Sequence, residues 1–188
     1  NGIYYKHDEE DILKGYSLIY GPENTPYQYG NYLFEFVYPY DYPFTPPKVY
    51  FLTNADKIRM NPNLYRSGKV CISVLNTWKG EQWSSCQTIK TILLSIFMIF
   101  NDKPLLNEPG FREDNKDFDN YNKIIKYKNI DIAIYKVLSD KSYIFVKEHF
   151  IEIIINKFKE NYKKIIDLTN NEKKIDDNYI LKTEVYDM

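Results

Sequence analysis

The amino-acid sequence predicts an α+β fold: an antiparallel meander packed against one long amphipathic helix, with further helices toward the C-terminus. Three observations carry this. Short strand-like runs follow one another early in the chain with only turns between them. One apolar stripe at helical spacing stands in mid-chain, and two longer helical segments follow it. Strands in close succession, with helices after them, form an antiparallel sheet rather than a doubly wound parallel one.

The first strand is read at Tyr16–Tyr20 and ends at the turn Gly21-Pro22. Asn31–Tyr38 alternates at period two from Leu33 to Val37, with Tyr27–Gly30 as the turn before it. Lys48–Leu52 follows the proline cluster Pro43, Pro46 and Pro47. From Asn54 to Trp83 regular structure is scarce, and a packed domain seldom keeps so long an irregular stretch without a use for it. Cys71 is the reactive-type residue within that stretch. Ser84–Phe100 then reads as a helix, with Ser84 as its cap and Ile89, Ile92, Leu93, Ile96, Ile99 and Phe100 at helical spacing. Asn107-Glu108-Pro109-Gly110 is a loop, and Tyr121–Leu138 and Lys141–Leu168 read as two further helices. The expected organisation is a core over residues 1–138 and a helical extension, 139–188, packed on or beside it.

Composition excludes several classes of function. Lys and Arg number 25 against 26 Asp and Glu, so there is no electrostatic footprint for nucleic acid or an anionic membrane surface. Two cysteines and two histidines, His7 and His149, without metal-type spacing, support neither a disulfide framework nor a metal enzyme. The most apolar run, Ile92–Phe100, is too short to span a membrane. No signal peptide opens the chain. The expectation is a cytoplasmic or nuclear protein without metal or organic cofactor.

The decisive segment is Asn61-Pro62-Asn63-Leu64-Tyr65-Arg66-Ser67-Gly68-Lys69-Val70-Cys71-Ile72. It resembles ubiquitin-conjugating enzymes, which carry His-Pro-Asn, a fixed gap with a glycine, and then Cys-Leu or Cys-Ile. Asn61 stands where that family has histidine. Tyr42-Pro43-Phe44-Thr45-Pro46-Pro47-Lys48-Val49 is similar to the family's proline-rich loop, and Gly21-Pro22 with Thr25-Pro26-Tyr27 to its first hairpin. Trp83-Ser84 stands where the family has Trp-Ser-Pro-Ala before a long helix. The insertion Asn76-Thr77-Trp78-Lys79-Gly80, the loop Asn107-Glu108-Pro109-Gly110-Phe111 and the Asn-Pro-Asn triplet resemble the Z-type, or USE-type, members.

The resemblance implies a four-stranded meander of the UBC fold. It also implies a first helix before the first strand, for which Asn1–Asp11 leaves little room, so that helix is expected upstream of Asn1. It implies that Cys71 accepts ubiquitin or a ubiquitin-like protein as a thioester from an activating enzyme. A lysine amine of a protein substrate, or a ligase cysteine, then takes the modifier, and ATP is consumed by the activating enzyme. The alternatives are a different ubiquitin-like modifier, a catalytically inactive ubiquitin-binding scaffold, and a cysteine hydrolase. The hydrolase is disfavoured because no histidine lies near Cys71 in sequence.

Several residues carry two readings each. Cys71 between Val70 and Ile72 would, without the motif, be an ordinary buried cysteine. A thiol suits acyl relay because thiolate is a good nucleophile and its thioester stays activated toward amines. Asn63 either stabilises charge developing on the thioester oxygen or merely bonds the loop backbone. Asn61 and Pro62 are read as structural, since Asn can donate and accept as the usual histidine does. Glu108 either orients the incoming lysine or is a solvated loop carboxylate. By resemblance, Phe44, Ser85 and Cys86 form the ligase-binding surface, with Ser85-Cys86 in place of the usual Pro-Ala. Leu94 and Met98 either hold the donor ubiquitin or pack under the C-terminal helices.

Overall fold

The computed structural model describes residues 2–54, 58–115 and 117–172. Four strands, β1 (Ile3–His7), β2 (Lys14–Tyr20), β3 (Asn31–Val37) and β4 (Lys48–Phe51), pair antiparallel in the order β1-β2-β3-β4. This is a meander, in which each strand turns back beside its predecessor. β1 has little strand signal of its own in the sequence. Its pairing with β2, Ile3 opposite Ile19 through His7 opposite Gly15, makes it a strand.

Alternation along the strands divides the sheet into two apolar faces. Ile19, Tyr32, Phe34, Phe36, Val49 and Phe51 point to one face and form the main core with the helix α1 (Ile89–Ile99). Ile92, Leu93 and Ile96 of α1 and Phe100 after it enter that core, where the Phe100 ring lies 4.4 Å from Tyr32 and 4.9 Å from Tyr27. The helix starts five residues later than the sequence predicts. Ser84 closes a separate turn with Gln87 (2.9 Å) instead of capping. Thr88 precedes the first helical turn in extended conformation, and Thr91 Oγ1 accepts from its N–H at 3.5 Å, closing a capping box.

The opposite face of the sheet is covered by the chain from Val137 onward, whereas Tyr121, Ile124, Ile125, Ile132 and Ala133 join the main core. The helix α2 (Phe118–Lys128) runs without interruption into a π-helical stretch, Asn129–Lys136, and a last α turn, Val137–Ser139. The buried Asn129 fixes this stretch to the sheet. Its Oδ1 accepts from Tyr32 Oη at 2.6 Å and its Nδ2 donates to the Gln28 carbonyl at 2.9 Å. The single helix predicted over Lys141–Leu168 is broken into Lys141–Tyr143 (3-10), α3 (Ile144–Glu148) and α4 (Ile151–Asn171). The break has a packing reason. Phe150, between α3 and α4, is 1% exposed and joins Tyr16, Leu18, Leu33, Val146 and Ile154 in a second apolar cluster against the outer sheet face. His149 stacks on Tyr16 with ring centroids 4.6 Å apart.

Many of the buried aromatics are tyrosines, and burial, the largest cause in each case, raises their phenols. Tyr16 is pushed up to about 12, and Tyr20, Tyr32 and Tyr38 also move up. The folded chain therefore holds these protons more tightly than the unfolded chain, whose phenols titrate near 10. Their contribution to stability is complete below that value and is lost as pH rises toward the folded values. The urea midpoint is expected to fall steadily from about pH 10 upward, before any change attributable to lysine pairs on the surface. A midpoint that is flat to pH 12 would contradict this burial.

Candidate active site

The irregular stretch of the sequence becomes a folded shell around Cys71. A tight turn, Tyr65–Gly68, closed by Gly68 N–H to the Tyr65 carbonyl (2.9 Å), needs Gly68 at φ +84°, where a Cβ is disfavoured. The chain then returns past Asn63, whose carbonyl accepts from the Cys71 N–H at 2.8 Å. The Asn63 side chain answers in the other direction, its Nδ2 donating to the Cys71 carbonyl at 2.7 Å. Among the described residues one Nδ2 hydrogen stays uncommitted, and Asn63 Oδ1 is buried with no partner.

Asn61 lies beneath this pair and is fully buried. Its Nδ2 donates to Tyr27 Oη and to the Ile99 carbonyl, both at 2.8 Å, and its Oδ1 accepts from the Asn63 N–H at 2.9 Å. One amide thus ties the first hairpin, the end of α1 and the Cys71 loop together. Pro62 contributes its carbonyl, which accepts from Arg59 Nη2.

Cys71 itself is 3% exposed, and its Sγ donates to the Thr77 carbonyl at 2.8 Å. Thr77 lies in the insertion after the cysteine, and its Oγ1 accepts from the Ile72 N–H at 3.0 Å. The same Oγ1 reaches the carbonyls of Val70 (2.9 Å) and Ile72 (3.0 Å), so the hydroxyl clamps the backbone on both sides of the cysteine. Replacing Thr77 by Val keeps the shape and removes the clamp. The expected cost is about 1–2 kcal/mol in urea unfolding, with faster alkylation of Cys71 by iodoacetamide and recovery in Thr77→Ser. Unchanged alkylation would show that the insertion does not hold the thiol.

Glu108 is not a free loop carboxylate. Its Oε2 pairs with Arg59 Nη2 at 3.0 Å, with the two side chains 19% and 7% exposed. The Arg59 guanidinium also lies over the Tyr65 ring, 4.6 Å from its centroid. Tyr65 lies near enough to Cys71 for the thiol to act on its phenol. Its phenol is raised, first by burial and then by Cys71, against a lowering pull from Arg59. Cys71, Asn63, Asn61, Pro62 and Glu108 therefore belong to one constellation. Arg59, Tyr65 and Thr77 complete it, although sequence reasoning assigned them no role. The one signal available for Arg59 was a lone cation between Ile58 and Met60, two residues with apolar side chains.

The other candidates stand apart from the thiol. Phe44 is 80% exposed, and Ser85 and Cys86 are exposed on the loop before α1. Trp83 links these regions, donating from Nε1 to the Pro43 carbonyl (2.7 Å) and from its N–H to Asn76 Oδ1 (2.9 Å). Leu94 and Met98, 45% and 73% exposed, form an open face of α1, while the C-terminal helices occupy the far side of the sheet. Both cysteines are free thiols. Among the described residues no cluster of His, Cys, Asp and Glu could hold a metal ion, and no helix is long and apolar enough to cross a membrane.

Comparison with known proteins places this arrangement. The family model described as ubiquitin-conjugating enzyme matches residues 1–130. Ubiquitin-conjugating enzyme E2 Z of Xenopus tropicalis is 41% identical over 143 residues, covering 74% of this chain and 46% of that protein. Probable ubiquitin-conjugating enzyme protein 17 of Caenorhabditis elegans is 41% identical over 167 residues, covering 82% of this chain and 22% of the relative. The human dual E2 ubiquitin-conjugating enzyme/E3 ubiquitin-protein ligase BIRC6 is 41% identical over 119 residues, 59% of this chain and 2% of its own length. The chain thus spans less than half the length of each of these relatives. It belongs to the ubiquitin-conjugating enzyme family and is similar to the Z-type members of that family.

Proposed function

We propose that this chain carries ubiquitin or a ubiquitin-like protein as a thioester on Cys71 and passes it to a lysine amine or a ligase cysteine. The observation that supports this best is the paired bonding of Cys71 and Asn63, each backbone or side-chain donor of one serving a carbonyl of the other. That pairing holds an amide donor beside the reacting sulfur.

In the first transfer, the Cys71 sulfur attacks the carbonyl carbon of the activating enzyme's thioester. A new carbon–sulfur bond forms, the old one breaks, and the proton from Cys71 ends on the departing thiol. A thioester sulfur has no hydrogen to donate, so charging necessarily ends the bond from Cys71 Sγ to the Thr77 carbonyl. In the second transfer a lysine amine attacks the same carbonyl carbon. The carbon–nitrogen bond forms, the carbon–sulfur bond breaks, and a proton leaves the nitrogen for solvent. The negative charge that develops on the carbonyl oxygen is met by the uncommitted Nδ2 hydrogen of Asn63, a fixed donor that needs no reorganisation. Neither step requires a metal or an organic cofactor. Phe44 with Ser85 and Cys86 serves as the ligase-facing surface, and Leu94 and Met98 as the face for the bound modifier; their exposure on loops and helix leaves them available for both.

The test is incubation of the chain with ubiquitin, ATP and an activating enzyme of the same source. The expected product is an adduct that reductant removes and that peptide mapping places on Cys71. An adduct that resists reductant, or none with any modifier, would sink the proposal.

A further inference from the structure

Arg59 is the cation buried at the rim of the site, and burying a guanidinium is costly unless its surroundings repay the lost hydration. Its contacts all belong to the active-site shell. Nη2 lies between the Pro62 carbonyl and Glu108 Oε2 (3.0 Å), and the guanidinium plane rests on Tyr65. Its Nε has no partner among the described residues. A side chain kept there only for stability would be poorly served by an unsatisfied donor. The same contacts are well suited to fixing direction: a planar fork on an aromatic ring, bonded to a carboxylate and to the Asn-Pro-Asn turn.

We infer that Arg59 is a positioning residue for lysine transfer. It anchors Glu108 by Oε2, which leaves Oε1, without a partner among the described residues, to receive a lysine that approaches the Cys71 thioester. Arg59 reaches the thiol's surroundings by contact: it lies over the Tyr65 ring and bonds the Pro62 carbonyl, next to Asn63, whose side chain bonds the Cys71 carbonyl. The incoming nitrogen donates a hydrogen bond to Oε1 and is held with its lone pair toward the thioester carbon. It loses its proton to solvent as the carbon–sulfur bond breaks. Arg59 touches neither the substrate nor the reacting atoms and acts through Glu108.

This inference rests on the carrier role of Cys71, and one experiment separates the two. The chain is charged with ubiquitin, the activating enzyme is stopped by removing ATP, and discharge to free lysine is followed over a range of lysine concentrations. In Arg59→Met the apparent KM for lysine is expected to rise about tenfold, while the rate at saturating lysine changes less than about twofold. Arg59→Lys is expected to fall between wild type and Arg59→Met, because an ammonium cannot lie flat on Tyr65 while spanning both oxygen partners. Glu108→Gln raises the KM similarly, and adding Arg59→Met to it changes little further, since both act through one carboxylate. An unchanged lysine KM in Arg59→Met, a loss confined to the saturated rate, or full additivity with Glu108→Gln overturns the inference. Should thermal melting show Arg59→Met unfolded, a wild-type KM in Arg59→Lys overturns it instead. Failure to form any thioester on Cys71 sinks the carrier role itself, whereas a thioester whose lysine KM ignores Arg59 sinks the positioning role alone.

Discussion

Cys71→Ala is expected to eliminate the reductant-sensitive adduct completely, and Cys71→Ser to leave at most a slow adduct that reductant does not remove. The physical basis is the leaving group. A thiolate departs readily when an amine attacks, whereas an alkoxide does not, so an oxygen ester on serine would be a dead end. The loss is expected without unfolding. Among the described residues the thiol makes one side-chain hydrogen bond, to the Thr77 carbonyl, and its removal with one small buried atom is expected to cost about 1–2 kcal/mol. The midpoint of urea unfolding measured beside the charging assay separates the two causes. Cys86, exposed on the loop before α1, is not part of the thiol's shell, and the adduct is expected to survive Cys86→Ala. Loss of the adduct in Cys86→Ala, with Cys71→Ala still charged, would place the carrier on the wrong loop.

Asn61→Ala is the substitution expected to destabilise the site most. It removes both donors that serve Tyr27 Oη and the Ile99 carbonyl, and the acceptor for the Asn63 N–H, at a position with no access to water. Part of the loss is softened, because Tyr27 still donates to the Met60 carbonyl (3.0 Å) and Ile99 still accepts from Asn107 Nδ2 (3.1 Å). The net cost is expected at about 3–4 kcal/mol, since buried groups are left unpaired and a small cavity opens. Asn61→Asp is expected to be at least as severe: it keeps the acceptor, loses both donors and buries a carboxylate. Urea unfolding of the two variants beside Asn63→Ala checks this. Asn63 is only partly buried, so its removal should cost less stability and more rate. If Asn61→Ala unfolds within about 1 kcal/mol of wild type, the bridging role of this amide is wrong.

The bonds of Asn61 bear on which residue types this position of the motif can hold. What the position uses here is two donors and an acceptor at the junction of the first hairpin, α1 and the cysteine loop. The Asn61 amide supplies all three, whereas a neutral imidazole has one donor and one acceptor, so the bonds at this junction are those of an asparagine.

Much of this was legible in order of residues. Period-two alternation in β3 and helical spacing in α1 report a locally buried face, and the structure places those residues in the main core. The spacing from Asn61 to Cys71 marked the loop in which Asn63 and Cys71 are bonded. Other features had no local signal. β1 exists through its pairing with β2, and the helix start moved to Ile89 because Ser84 found a bond with Gln87 instead. The break before α4 follows from the depth at which Phe150 is buried against the sheet, which periodicity along one helix does not report.

The same distinction divides the site. Which residue carries a thiol, and which amide accompanies it, are matters of spacing along one short segment, and the sequence supplies them. Whether Glu108 is solvated or anchored depends on Arg59, 49 positions earlier in the chain, and whether the thiol is held depends on a carbonyl in the insertion. Such contacts arise only when distant segments cross in a low-dielectric interior. There a pairing that is worth little in water becomes strong enough to fix a side chain's direction.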